Sequence, residues 1–194
     1  MHPCVRLVHE LVTDLAPGDD LEAAHRSDTL RWLESTDDVF RRVQPDVPAR
    51  HLVSYVLLVD PDDGAVLLAD HIRAGLWLPP GGHVEPGEHP AAAAGREAGE
   101  ELGIAAEFAS PSFLTVTRTR GHRGVHEDVS LWFLLRGSRR TRLRPDPREF
   151  RSVRWWTPGE LRAEDAGRFD PHLGRFLAKA AVHGGGTGGA DEPA

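Results

Sequence analysis

Apolar and polar positions along the chain change period several times, and the changes mark its elements. Val5–Leu15 and Leu21–Leu33 read as helices. In the second, Leu21, Ala24, Leu30 and Leu33 recur near a 3.6-residue period and mark its apolar face, with Asp19 or Asp20 placed to cap it. Pro17-Gly18 separates the two, and Pro45 and Pro48 bracket a linker. His51–Asp60, HLVSYVLLVD, is a nearly continuous apolar, partly β-branched run suited to a buried strand. Pro61-Asp62-Asp63-Gly64 is turn chemistry, so Ala65–Ile72 pairs back on that strand as a hairpin. Leu76-Trp77-Leu78 runs into the rigid Pro79-Pro80-Gly81-Gly82 loop, and His89–Leu102 is helical, closed by Gly103. Strands follow over Glu107–Thr119, Val129–Arg136 and Phe150–Trp156, then a short helix from Thr157-Pro158 and a last helix over His172–Val182. Gly184–Ala194 is Gly-rich, cannot bury apolar surface, and is expected to be disordered.

This succession predicts a mixed α/β domain over 46–183, preceded by a helical extension over 1–45. Composition agrees: 194 residues, 40% apolar, are enough for one domain with a real core. The formal net charge of −7, with eleven histidines uncounted, argues against a nucleic-acid polymer as partner. It leaves room for a small phosphorylated ligand, because a bound metal reverses the local sign. Cys4 is the only cysteine, which excludes an internal disulfide framework and a multi-thiolate zinc site. No apolar run reaches bilayer length and no signal pattern opens the chain, so a cytoplasmic protein without a membrane partner is expected.

Candidate chemistry concentrates in Gly82–Ile104, GHVEPGEHPAAAAGREAGEELGI. On a helix advancing about 100° per residue, Glu97, Glu100 and Glu101 share one sector, with Ala91, Gly95, Ala98 and Leu102 opposite. Three such carboxylates repel one another unless a cation sits among them, and an oxygen-rich, thiol-free set is what Mg²⁺ or Mn²⁺ prefers. The same residues also suit a solvated acidic face, with Arg96 pairing to Glu100 at i,i+4 for about 0.3–0.5 kcal/mol. The Pro79–Gly82 loop tips the balance, since it brings bare backbone beside the carboxylates where it can meet an ion or a phosphate.

This stretch resembles the Nudix box, G-x5-E-x7-R-E-U-x-E-E-x-G-U with U apolar. It supplies Gly82, Glu88, Arg96, Glu97, Ala98, Glu100, Glu101, Gly103 and Ile104 at every spacing, and only Ala98 is smaller than usual. The likeness extends from about His51 to Trp156, and the N-terminal helices and the tail fall outside it. It implies an α/β/α sandwich with a mixed sheet and an Mg²⁺-dependent pyrophosphohydrolase acting on a small nucleotide-like substrate. It also implies that Glu97, Glu100 and Glu101 ligate metal with the Gly81 carbonyl, and that Glu88 and Arg96 brace the loop. Many relatives add an acid from outside the box. Glu149, six residues before Trp155, is the first candidate and an ordinary loop carboxylate is the alternative; Glu127 and Asp128 compete.

Arg118, Arg120, His122, Arg123 and His126 lie between two predicted strands, in a loop able to meet phosphate or simply to be exposed. His83 suits a substrate contact or a loop hydrogen bond equally. Tyr55, Trp77, Phe113 and Trp132 offer stacking surfaces but read more readily as core. No HExxH spacing occurs, and His83-Val84-Glu85 lacks the PCxxC partner of a zinc deaminase. An isopentenyl diphosphate isomerase needs a core cysteine, and Cys4 lies far upstream. The alternative reading is a non-catalytic Nudix-like module, sensing a nucleotide or contacting a protein, although such modules commonly have degraded boxes. The substrate, and whether the N-terminal helices pack on the sheet, cover the substrate or form a homodimer interface, stay open at this level.

Overall fold

A computed structural model describes residues 2–42, 47–121 and 124–184 of the chain. The expected disordered tail lies outside them from residue 185. Two helices come first, α1 (Pro3–Asp14) and α2 (Asp20–Ser35), followed by strands β1 (Arg50–Val59), β2 (Val66–His71), β3 (Trp77–Leu78) and β4 (Gly81–His83). Then come α3 (Pro90–Leu102), β5 (Phe113–Gly121), β6 (Gly124–Arg136), β7 (Phe150–Trp156), α4 (Pro158–Ala163), a 3-10 turn at Ala166–Arg168, and α5 (Leu173–Gly184).

The seven strands form one mixed sheet ordered β3-β2-β1-β6-β5, with β4 paired to β1 and β7 to β2. β1 and β6 run parallel, in register from Arg50↔Glu127 to Val59↔Arg136. Along its other edge β1 divides its partners. Its last residues pair with β2 and its earlier ones with β4, at Val53↔His83, Ser54↔Gly82 and Tyr55↔Gly81. The glycine loop is thereby stitched onto the central strand as a short strand of its own.

Period-two alternation sends the two faces of the sheet to separate cores. Leu52, Val56, Leu58, Leu131 and Phe133 pack with α1, α2 and α3, while Leu57, Leu68, Trp132 and Trp156 pack with Phe169 and with Leu173 and Phe176 of α5. The product is a three-layer α/β/α sandwich. Phe113 and Trp132, offered by the sequence as stacking surfaces, are fully buried core; Tyr55 and Trp77 are half-buried at its margin.

Two sequence expectations are corrected. In α2 the buried positions are Glu22, Thr29 and Leu33, whereas Leu21 and Ala24 are exposed. The helix turns a polar side inward because it covers an edge strand: Glu22 Oε1 accepts the Leu114 N–H at 3.1 Å and His25 Nδ1 the Val116 N–H at 3.3 Å. Those donors of β5 have no strand beyond them, and an open edge invites aggregation. The strand expected over Glu107–Thr119 starts only at Phe113, and the residues before it are irregular.

Candidate active site

Helix α3 starts sharply, with His89 Nδ1 accepting the Ala91 N–H at 3.0 Å and Pro90 in the first turn. It ends at Gly103, whose φ of 70° is the left-handed cap that glycine adopts without strain. Ala91, Ala93, Ala94 and Ala98 bring the helix close under the sheet, and Ser54 Oγ of β1 ties its first turn by donating to the Pro90 carbonyl at 2.9 Å. The three box carboxylates separate here. Glu97 and Glu101 are 8% and 7% exposed, turned inward rather than to solvent, while the Glu100 side chain is 62% exposed.

β4 lies directly against the buried pair. The Gly81 N–H donates to Glu101 Oε2 at 2.7 Å. A Cβ on Gly82 would come within 2.4 Å of Glu97 Oε1, and one on Gly81, where φ is 148°, within 2.2 Å of the Ser54 carbonyl oxygen. Gly81 therefore requires glycine, while a side chain at Gly82 would displace the Glu97 carboxylate. Arg96 closes the assembly: Nε and Nη2 take the two oxygens of Glu88 at 2.9 and 3.0 Å, and Nη2 also reaches the His83 carbonyl at 3.1 Å. Its Nη1 bridges Glu97 at 2.7 Å and Glu100 at 3.3 Å.

Charge follows the geometry. Burial, with the Glu97 charge behind it, pushes Glu101 up to about 8, and the Gly81 N–H only partly opposes this. Burial raises Glu97 as well, although Arg96 pulls the other way. Glu88 is also partly buried, but its bonds to Arg96 prevail and hold it below the usual carboxylate range. Two buried carboxylates with raised proton affinity, beside glycine backbone and with oxygen as the only donor element, fit a hard divalent cation such as Mg²⁺.

The remaining candidates are divided between places. Glu149, just before β7, lies 3.8 Å from His71 Nε2, and its charge reaches Glu101. Asp146, which the sequence reading passed over, does the same, and its N–H is bonded to the Glu101 carbonyl at 3.0 Å. The loop 137–149 thus folds its acids toward the end of α3, a placement that no local spacing signals. Glu127 pairs loosely with Arg50 at 3.9 Å, and Asp128 is held by histidines.

The expected basic loop is instead a long hairpin, β5–β6, paired to Gly121↔Gly124. Arg118 stands opposite Glu127, one residue out of phase with the Thr119↔His126 pair, so Arg118 and His126 project from opposite faces and cannot meet one phosphate together. His122, Arg123 and the Arg120 side chain lie outside the described residues. His83 turns its ring away from α3 to stand 3.1 Å from His51; burial, then the charges of Arg41 and His51, pushes it down to about 3. An open groove of about 730 Å³ runs along α3, lined by Gly95, Gly99, Gly103, Ala106, Arg96 and Glu100; neither buried glutamate lines it. Among the described residues no helix is long and apolar enough to cross a membrane.

Comparison with known proteins places this geometry. The NUDIX domain model matches residues 49–179. Among solved structures, the MutT protein of Methanosarcina mazei Go1 aligns with a TM-score of 0.57 at 18% identity, over 68% of this chain and 93% of that one. A MutT NUDIX hydrolase from Burkholderia pseudomallei aligns at 0.52 and 25% identity, over 66% and 95%. The dihydroneopterin triphosphate pyrophosphohydrolase of E. coli aligns at 0.57 and 18% identity, over 75% and 99%.

Proposed function

The chain belongs to the Nudix family of hydrolases, and on that premise we propose that it is an Mg²⁺-dependent pyrophosphohydrolase cleaving the diphosphate linkage of a nucleoside triphosphate or another nucleoside-diphosphate-linked compound. One observation carries the reading: Glu97 and Glu101 are buried side by side under a Gly81-Gly82 backbone where a methyl group would strike the Ser54 carbonyl or displace the Glu97 carboxylate.

Without a cation, this pair repels the anionic substrate it is meant to hold. At an effective dielectric constant near 20, two like charges 4 Å apart cost about 4 kcal/mol. Glu97, Glu100, Glu101 and the Gly81 carbonyl would hold Mg²⁺ or Mn²⁺, which when bound would supply the opposing charge for the phosphoryl oxygens and acidify a water. The residues of the chain do the rest. Once a cation displaces the proton that its raised affinity holds, the Glu101 carboxylate would orient or deprotonate the attacking water. Glu149 adds the acid from outside the box, and its charge helps keep that affinity high. Arg96 fixes Glu97 while its clasp on Glu88 and the His83 carbonyl holds the glycine loop still. The water oxygen bonds to one phosphorus, the bridging P–O bond breaks, and the bridging oxygen leaves with the other phosphate group.

The test is product analysis on a panel of nucleoside triphosphates, dinucleoside polyphosphates, ADP-ribose-like compounds and nucleotide sugars, with Mg²⁺ and with chelator. Hydrolysis of at least one class that chelator abolishes is expected. Saturable binding without product across the whole panel would replace the enzyme with a nucleotide-sensing module.

A further inference from the structure

On the face of the sheet away from α3, three adjacent strands bring histidines together. His51 of β1 lies opposite Asp128 of β6 in the parallel register, His126 precedes Asp128 by two residues on the same face, and His83 of β4 lies opposite Val53, two residues from His51. The His51 side chain is fully buried; those of His126 and Asp128 are 13% and 16% exposed.

Three of these side chains share one ligand sphere, and His83 adjoins it through His51. His51 Nε2 is 3.0 Å from Asp128 Oδ1 and 3.1 Å from His83 Nε2, and His126 Nε2 is 3.3 Å from Asp128 Oδ2. Donor atoms of His51, His126 and Asp128 all lie within 4.8 Å of one another. Four donors about 2.0–2.1 Å from a tetrahedral ion stand roughly 3.3 Å apart.

Proton placement sharpens the argument. His51 Nδ1 is 2.9 Å from the Pro48 carbonyl, which can only accept, so this nitrogen carries the hydrogen. On a neutral ring Nε2 is then a bare lone pair, yet it faces a carboxylate oxygen and the nitrogen of another imidazole. A backbone carbonyl fixing the far nitrogen while the near one points at other donors is how metal-binding histidines are oriented. A dication between His51 Nε2 and Asp128 resolves the facing lone pairs and draws on His126 as well. Thr119 Oγ1 completes the surroundings by donating to Asp128 Oδ2 at 3.3 Å, and Arg41 is the cation whose charge reaches His83.

We propose that His51, His126 and Asp128, with His83 beside them, form a second metal site, separate from the glutamates, that takes a borderline transition-metal dication, with Zn²⁺ the first choice. Imidazole-rich donors select such ions where carboxylates alone select Mg²⁺. Its work is to clamp β1 to β6; the His83 ring packs on the His51 ligand while its carbonyl holds Arg96, so the ion also steadies the loop carrying Gly81 and Gly82. His126 is thereby assigned to metal in place of substrate, whether or not the proposed hydrolysis is correct.

The experiment uses full-length, tag-free protein stripped with chelator, loaded with ZnCl₂ in an excess of MgCl₂, dialysed, and analysed for zinc content and melting temperature. One zinc per chain is expected in the unaltered protein and in Glu97→Gln, with a raised melting temperature. His126→Ala and Asp128→Asn, at partly exposed positions that spare the core, should hold zinc at least about tenfold more weakly. X-ray absorption at the zinc edge of the unaltered protein should show imidazole scattering and does not depend on how the variants fold. Failure of the unaltered protein to retain zinc, undiminished retention by both variants, loss of zinc in Glu97→Gln, or an all-oxygen shell would each overturn the site.

Discussion

Glu22 and Glu101 are both almost fully buried and behave in opposite ways. Glu22 of α2 has no exposed surface, and its oxygens are fully engaged: the Gly18 N–H at 2.7 Å, the Leu114 N–H at 3.1 Å and Lys179 Nζ at 2.8 Å. It joins the first helices, the edge strand β5 and α5, elements 92 and 157 residues away along the chain. Glu101 of α3 is 7% exposed and is bonded through the Gly81 N–H, while Glu97, Asp146 and Glu149 crowd it with like charge. Burial alone does not distinguish a structural carboxylate from a functional one. The balance of partners does: Glu22 has a cation of its own, and Glu101 is surrounded by acids that await one.

The two should therefore respond to substitution in opposite currencies. The largest effect belongs to Glu22→Ala, which leaves the buried Lys179 ammonium without its carboxylate; a loss of about 3–5 kcal/mol in urea unfolding is expected, with turnover per folded molecule unchanged. Glu97→Gln should do the reverse. It keeps the shape and removes a charge that burial already disfavours, so stability holds while turnover falls at least about a hundredfold, equivalent to about 2.7 kcal/mol of barrier. Near-normal turnover by folded Glu97→Gln removes that residue from the metal set, and full stability in Glu22→Ala removes the clamp.

What the sequence disclosed, and what it withheld, follows the same division. Helix α3, its Gly103 cap and β7 over Phe150–Trp156 were legible because each depends on spacing within one element. The inner face of α2 was not. Counting apolar residues favours Leu21 and Ala24, and only the distant Lys179 and Leu114 explain why Glu22 and Thr29 point inward instead. The arginine-rich stretch after Thr117 looked like a loop because polar side chains hide a strand whose pairing is with backbone. His51, His83 and Asp128 meet only because strand order sets β4, β1 and β6 side by side, an arrangement their spacing in the chain does not encode.

The central claim is that Glu97 and Glu101 together bind magnesium, and calorimetric titration with MgCl₂ across pH tests it most directly. Since Glu101 holds its proton up to about pH 8, well above an ordinary glutamate, the ion must displace that proton. Affinity should therefore rise with pH below about 8, by up to about tenfold per unit, then level off, with a proton released to buffer below that point. In Glu101→Gln both the pH dependence and most of the uptake should vanish. Equal uptake by Glu101→Gln and the unaltered protein, or none by the unaltered protein with or without nucleotide, would contradict the account.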